Sequence, residues 1–288
     1  MTDSAVIDPR YAAARRVLLD ALFALAPHGS AVIVAGAQAI YLHTGDADFG
    51  IAPFTTDGDL VIDPSLLGDD PELEVAMVAA NFTHLLRPGG HVEPGTWVSP
   101  ATIAGKAELI PVDLIVPEGM APSGGRRSVQ LGGHGNRAAR RALGLEAALV
   151  DHVPVRIAAL DPTDDRFITA EVAGPAALLV AKAHKINDRV ASARSHRLDD
   201  KDASDVVRLM QTIPVLSVAA VFSKLLADTV AGQPTRDALL YLTDLFGRRG
   251  RPGVTMAVNA LRFAVEAATV EVISTSYIEQ LDLALGDV

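Results

Sequence analysis

TTDGDLVID, residues 55–63, joins two acids at alternate positions to an apolar run that stops at Pro64. Read as an extended strand, it sends Asp57 and Asp59 to one face and Gly58 to the other, because successive side chains alternate. Two carboxylates side by side raise each other's pKa and call for a cation to neutralise them. Hard oxygen ligands select Mg²⁺ or Mn²⁺. An Asp-x-Asp pair is common in loops, so the meaning of this one depends on its surroundings.

Upstream, Tyr11 to Leu25 carries apolar residues at helical spacing (Val17, Leu18, Ala21, Leu22, Leu25), and AVIVAG (31–36) reads as a short buried strand. Gly36 closes that strand and opens a helix from Ala37 to His43, a turn whose backbone N–H groups can receive phosphate oxygens. Downstream, Pro71 to Leu86 reads as a helix, with Pro88-Gly89-Gly90 after its end. IPVDLIV (110–116) is the strongest of the strands expected between His91 and Val116. Its Asp113 is costly inside an apolar strand unless it is paired or bound to metal. The plainer alternative is a strand-edge residue hydrogen-bonded to backbone. Three acids on two adjacent strands beside a glycine turn are what two-metal phosphoryl-type transfer uses.

Residues 117–141 read as a long Gly- and Arg-rich loop leading into a helix, and Pro154 to Leu160 as a further strand. From Gly174 onward every segment reads as a helix joined by short polar links. The expected architecture is an α/β (α+β) core, residues 1–170, followed by a C-terminal helical bundle, residues 171–288. The boundary falls near 165–173, and a nucleotide-binding cleft is expected between the two parts.

With 49% hydrophobic and 21% charged residues among 288, the chain can bury a core and has no signature of disorder. The absence of cysteine excludes disulfides, thiolate metal sites and a cysteine nucleophile, and fits a cytoplasmic protein. The N-terminal MTDSAVIDPRYAAARR lacks a secretory pattern, and no apolar run approaches the roughly 18–20 residues that span a bilayer. A soluble protein without a membrane partner is expected. The net charge of −10 is awkward for a nucleic-acid binder. Two basic segments run against it, RRSVQLGGHGNRAARR (126–141) and RRGR (248–251). They are either solvated loops or local contacts for a nucleotide or RNA. No GxSxG elbow, P-loop or zinc spacing of histidines occurs.

On AALLVAKAHKI and its continuation, Lys182, Lys185 and Arg189 fall at i, i+3 and i+7, roughly one helix face. Such a stripe could hold a triphosphate, with Lys182 neutralising charge on the leaving pyrophosphate. It could equally be a surface helix with snorkelling lysines. Asp202 and Asp205 follow at i, i+3 in KDASDV and could orient Lys182 by ion pairing, while Asp199 and Asp200 could favour the helix start.

Gly36-Ala37-x-Ala39, His43 and Thr55-x-Asp57-x-Asp59-Leu60 resemble the glycine-turn and DxD motifs of polymerase β-like nucleotidyltransferases. The chain is more narrowly similar to the AbiEii/MenT branch, the toxin halves of type IV toxin–antitoxin pairs. That branch has a Lys on a helix after the core and then a (Lys/Arg)-Asp-x-x-Asp helix, matched here by Lys182 and by Lys201 to Asp205. The resemblance covers most of 31–210, with two departures. Pro53 stands where relatives carry Arg, and Ala37 stands where they carry Gly or Ser.

The resemblance implies a metal-dependent enzyme using Mg²⁺ (or Mn²⁺) and an NTP, with Asp57, Asp59 and Asp113 as metal ligands. It implies catalytic roles for those acids and for Lys182, Asp202 and Asp205. Gly36, Ala37, Thr56, Lys185 and Arg189 would bind substrate. The implied acceptor is the 3′ end of tRNA, blocked against aminoacylation, and the implied protein partner is a cognate antitoxin. A small-molecule or protein hydroxyl is the alternative acceptor, and a non-catalytic nucleotide-binding protein of the same fold is the alternative from another class.

Overall fold

A computed structural model describes residues 7–45, 54–122, 127–192 and 200–286. Their backbone divides into two units. One takes in the described residues of Met1–Leu42, Ala52–Ala142 and His152–Ala173, and the other those of His43–Ile51, Leu143–Asp151 and Gly174–Val288.

The first unit is a mixed α/β structure built on an eight-stranded sheet. Helix α1 (Pro9–Ala24) begins on Asp8, whose side chain accepts the Arg10 N–H at 2.7 Å, with Pro9 in the first turn. It is followed by β1 (Val32–Ala35), α2 (Gly36–Thr44), β2 (Gly58–Ile62), α3 (Leu73–Ala79), β3 (Thr83–Leu86), β4 (Val92–Ile103) and β5 (Lys106–Pro117). Three further strands, β6 (Arg140–Ala142), β7 (His152–Ala158) and β8 (Phe167–Ala173), complete the sheet. The order across it is β3-β4-β5-β2-β1-β8-β7, with β6 also on β5. β1 is buried along its whole length, antiparallel to β2 and parallel to β8. A central position explains its uninterrupted β-branched run.

β4 and β5, twelve residues each, form a hairpin that turns through Ala104 and Gly105, both at positive φ. Two consecutive left-handed residues are what a tight hairpin loop with the native strand twist requires. The apolar face of α1 (Val17, Leu18, Leu19, Ala21, Leu22) is fully buried, and Leu18 reaches β2, where a Cβ on Gly58 would lie 3.2 Å from its Cδ1.

Three sequence expectations change here. The segment read as a strand from residue 55 enters the sheet only at Gly58. The helix expected over 71–86 ends at Ala79. Asn81 then adopts φ 64°, a conformation its short polar side chain tolerates, and the chain returns as β3. Helical periodicity had absorbed an edge strand. The loop 117–141 leads into β6 instead of a helix, parallel to β5, with Ile115 opposite Arg140. Residues Phe167–Ala173 form β8, paired to both β1 and β7.

The second unit is helical: α4 (Pro175–Ala191), α5 (Asp200–Thr212), α6 (Val215–Ala227), α7 (Gly232–Phe246), α8 (Pro252–Leu261) and α9 (Ala267–Leu285). α5 packs on α8, α4 on α7, and α6 on α9. Asp151 caps α4, its Oδ2 accepting the Ala177 N–H at 2.9 Å and its backbone carbonyl accepting the Gly174 N–H at 2.7 Å. Gly174 is required there, because a Cβ would overlap the Asp151 carboxylate. Among the described residues no single helix is long and apolar enough to cross a membrane.

Candidate functional site

The sheet registers Asp59 directly between Ala35 of β1 and Asp113 of β5. Gly58 and Val112 are partners in the same parallel ladder, and Gly58 faces α1. Side chains alternate along each strand, so Asp59 and Asp113 leave the sheet together on the face opposite α1. Gly36 follows Ala35 at φ 64°, and a Cβ there would overlap Asp59 Oδ2 and lie 2.9 Å from Asp59 Cγ. Only glycine lets the carboxylate sit against the strand-to-helix turn. The next residue, Ala37, is buried.

Asp57 stands just outside β2 and is exposed, as is Thr56. Its carboxylate accepts a hydrogen bond from Thr55 Oγ1, and its backbone carbonyl accepts one from Gln38 Nε2 at 3.3 Å. Gln38 belongs to a buried polar chain. Its Oε1 accepts from Arg15 Nε at 2.9 Å, while Arg15 Nη2 donates to the Tyr11 hydroxyl at 3.0 Å and Nη1 to the Ala158 carbonyl at 3.3 Å. Burial pulls the Arg15 pKa below its ordinary value. This chain ties the entry to β2 to α1 and α2. Sequence reading placed Thr55 in the Asp-x-Asp motif without a role and missed Gln38 and Arg15. The only trace of Arg15 was a basic residue amid an apolar helix face.

Asp113 has a partner that the sequence reading did not assign. Arg140 donates to Asp113 Oδ2 from Nη2 at 2.7 Å and from Nε at 3.2 Å, and both side chains are largely buried. Asp113 Oδ1 is buried and has no hydrogen-bond partner among the described residues. Arg140 lies in the basic segment 126–141, which is far from uniformly solvated. Arg141 pairs with Glu118 at 3.0 Å, and Arg127 pairs with Glu93 at 3.0 Å. Arg126 and Pro53 lie outside the described residues.

In the helical unit, α4 and α5 bury a charged node. Lys182 Nζ donates to Asp202 Oδ1 at 2.6 Å and Asp205 Oδ2 at 2.7 Å, and all three side chains are at most 5% exposed. Lys185 reaches the same Asp202 Oδ1 at 3.0 Å, and Arg189 donates to Asp202 Oδ2. Lys201 approaches Asp205 at 3.9 Å. Burial by itself would lower the Lys182 pKa, but the Asp205 and Asp202 carboxylates outweigh it and hold the ammonium above its ordinary value. For Asp202, burial pushes upward, yet Lys182, Lys185 and Arg189 together hold its pKa below the ordinary carboxylate range. The ion pairing of Lys182 with both acids is therefore built in. Lys185 is the half-exposed member of the stripe. Asp200 opens α5, and Asp199 lies outside the described residues.

Asp59 and Asp113 offer carboxylate oxygens on neighbouring strands, and the unpartnered Asp113 Oδ1 is left as a possible proton acceptor. Among the described residues, however, no three acidic or histidine side chains converge as a ready metal cluster. Neither protein families nor curated proteins give a match to this chain.

Proposed function

We propose that this chain is a metal-dependent nucleotidyltransferase with a polymerase β-like core, acting as a toxin of the AbiEii/MenT type. The observation that carries the reading is the register of Asp59 with Asp113 beside the Gly36 turn. A nucleotidyl transfer needs carboxylates grouped on one sheet face and a close-packed glycine turn where phosphates can approach backbone N–H groups. A bound Mg²⁺ or Mn²⁺ would neutralise phosphate charge. Asp57 and Asp59 would hold that ion, and Thr55 and Gln38 would fix Asp57 through its carboxylate and its carbonyl. Asp113 would accept the proton of the attacking hydroxyl. In the helical unit, Lys182 is preorganised by Asp202 and Asp205, and Lys185 and Arg189 would supply the outer cations of the stripe for anionic substrate.

The proposed acceptor is the tRNA 3′ end, and the proposed protein partner an antitoxin. The net charge of −10 favours a small-molecule or protein hydroxyl as the second reading. Incubation with each labelled NTP, Mg²⁺ and total tRNA is expected to label RNA, and Asp57→Ala is expected to abolish it. Label entering only protein or a small hydroxyl compound would transfer the proposal to the second reading. No transfer to any acceptor would reject it.

A further inference from the structure

Arg140 reaches Asp113 through a backbone path that leaves it little freedom. β6 runs parallel to β5, and Arg140 also bridges to Ser128. Gly95, in β4, has φ 72°, and a Cβ on it would overlap Arg140 N and lie 2.7 Å from Leu114 O. Gly95 N donates to the Arg137 carbonyl at 2.9 Å, and the indole of Trp97 donates to the Ala138 carbonyl at 2.9 Å. The segment 137–140 is thereby held against β4 and β5 up to the arginine. The guanidinium spends two donors on one oxygen of Asp113 and, among the described residues, leaves the other without a hydrogen bond. A fixed positive charge at hydrogen-bond distance is the neutralisation that a buried carboxylate in an apolar strand otherwise takes from a metal ion.

We infer that Arg140 is a positioning residue that stands in for a second cation at Asp113, so that the carboxylate centre takes one divalent ion, on Asp57 and Asp59. This rests on the nucleotidyltransferase reading above. Two consequences follow from the geometry. A second divalent ion at Asp113 would meet the guanidinium at close range and be repelled. The orientation of Asp113 is also set by Arg140 and not by metal, so the carboxylate is held in place before any ion arrives.

The test is direct titration of Mn²⁺ against the full chain, with bound and free ion separated by paramagnetic resonance. Trp97 fluorescence serves as the fold control. The wild type is expected to bind one Mn²⁺, lost in Asp57→Ala. Arg140→Gln is expected to gain a second ion at least tenfold tighter than any second binding in the wild type, and Arg140→Lys to restore a single ion. Asp113→Asn, independent of how Arg140→Gln folds, is expected to keep the one ion with affinity changed less than about twofold. Two ions in the wild type, one of them lost in Asp113→Asn, would overturn the inference and leave the nucleotidyltransferase reading standing. A single unchanged ion in a folded Arg140→Gln would also overturn it. A folded wild type that binds no Mn²⁺ would count against that reading itself.

Discussion

Removing Asp202 tests the charged node of the helical unit most severely. In Asp202→Ala, Lys182 keeps only Asp205 as a counter-ion while its own side chain remains 5% exposed. Breaking a buried pair by deleting one partner costs about 3–5 kcal/mol, because the surviving charge cannot return to water. The contribution of Lys185, half exposed, adds little beyond this. The same deletion in a Lys182→Met background is expected to cost about 1–2 kcal/mol, since no buried ammonium is then stranded, a coupling that a double-mutant cycle reads directly.

The pH dependence carries its own sign. The folded pKa of Asp202 is depressed, so its stabilisation is present above its unfolded value, about 3.9, and is lost as pH falls through the lower folded value. The folded pKa of Lys182 is raised, so its stabilisation is complete below about 10.4 and is lost as pH rises through the higher folded value. Urea unfolding followed by far-ultraviolet circular dichroism, across pH 2 to 7, measures the acid limb, over which the Lys182 contribution stays constant. Asp202→Ala should lower the midpoint throughout and flatten the acid limb. A loss below about 1 kcal/mol, or an acid limb identical to wild type, would refute the buried-node argument.

Further outcomes follow from single contacts. Gly36→Ala must place a Cβ into the Asp59 carboxylate at φ 64°, so it should cost at least about 1–2 kcal/mol and weaken Mn²⁺ binding as Asp59 is displaced; calorimetry on the variant checks both. Gly95→Ala drives a Cβ into Arg140 N and Leu114 O, and should destabilise the sheet unit and red-shift emission from buried Trp97, the only tryptophan. Arg15→Met removes the donor to Gln38 Oε1 and should cost about 1–3 kcal/mol in thermal unfolding, with Met preserving most of the packing.

The sequence marked the strands at 31–36 and 110–116 and the helical character beyond Gly174, because those segments carry their own periodicity. It also marked Asp113 as a group that cannot be buried alone, Asp57 and Asp59 as a pair that calls for a cation, and Asp202 and Asp205 as acids that could pair with Lys182. It did not show β3 or β8. β3 is a short edge strand whose exposed face follows no apolar alternation, and β8 is a strand through its pairing with β1 and β7.

For Asp113, local spacing could say that a partner was needed but not which one, whereas pairing with Lys182 was already one of the readings open to Asp202 and Asp205. Asp113 meets Arg140, 27 residues away, only because Gly95 lets β6 close on β5, and Lys182 meets Asp202 and Asp205 only because α4 packs on α5. A buried charge is legible in one strand or one helix as a cost. Its compensation comes from another element, so the choice of partner belongs to the tertiary structure.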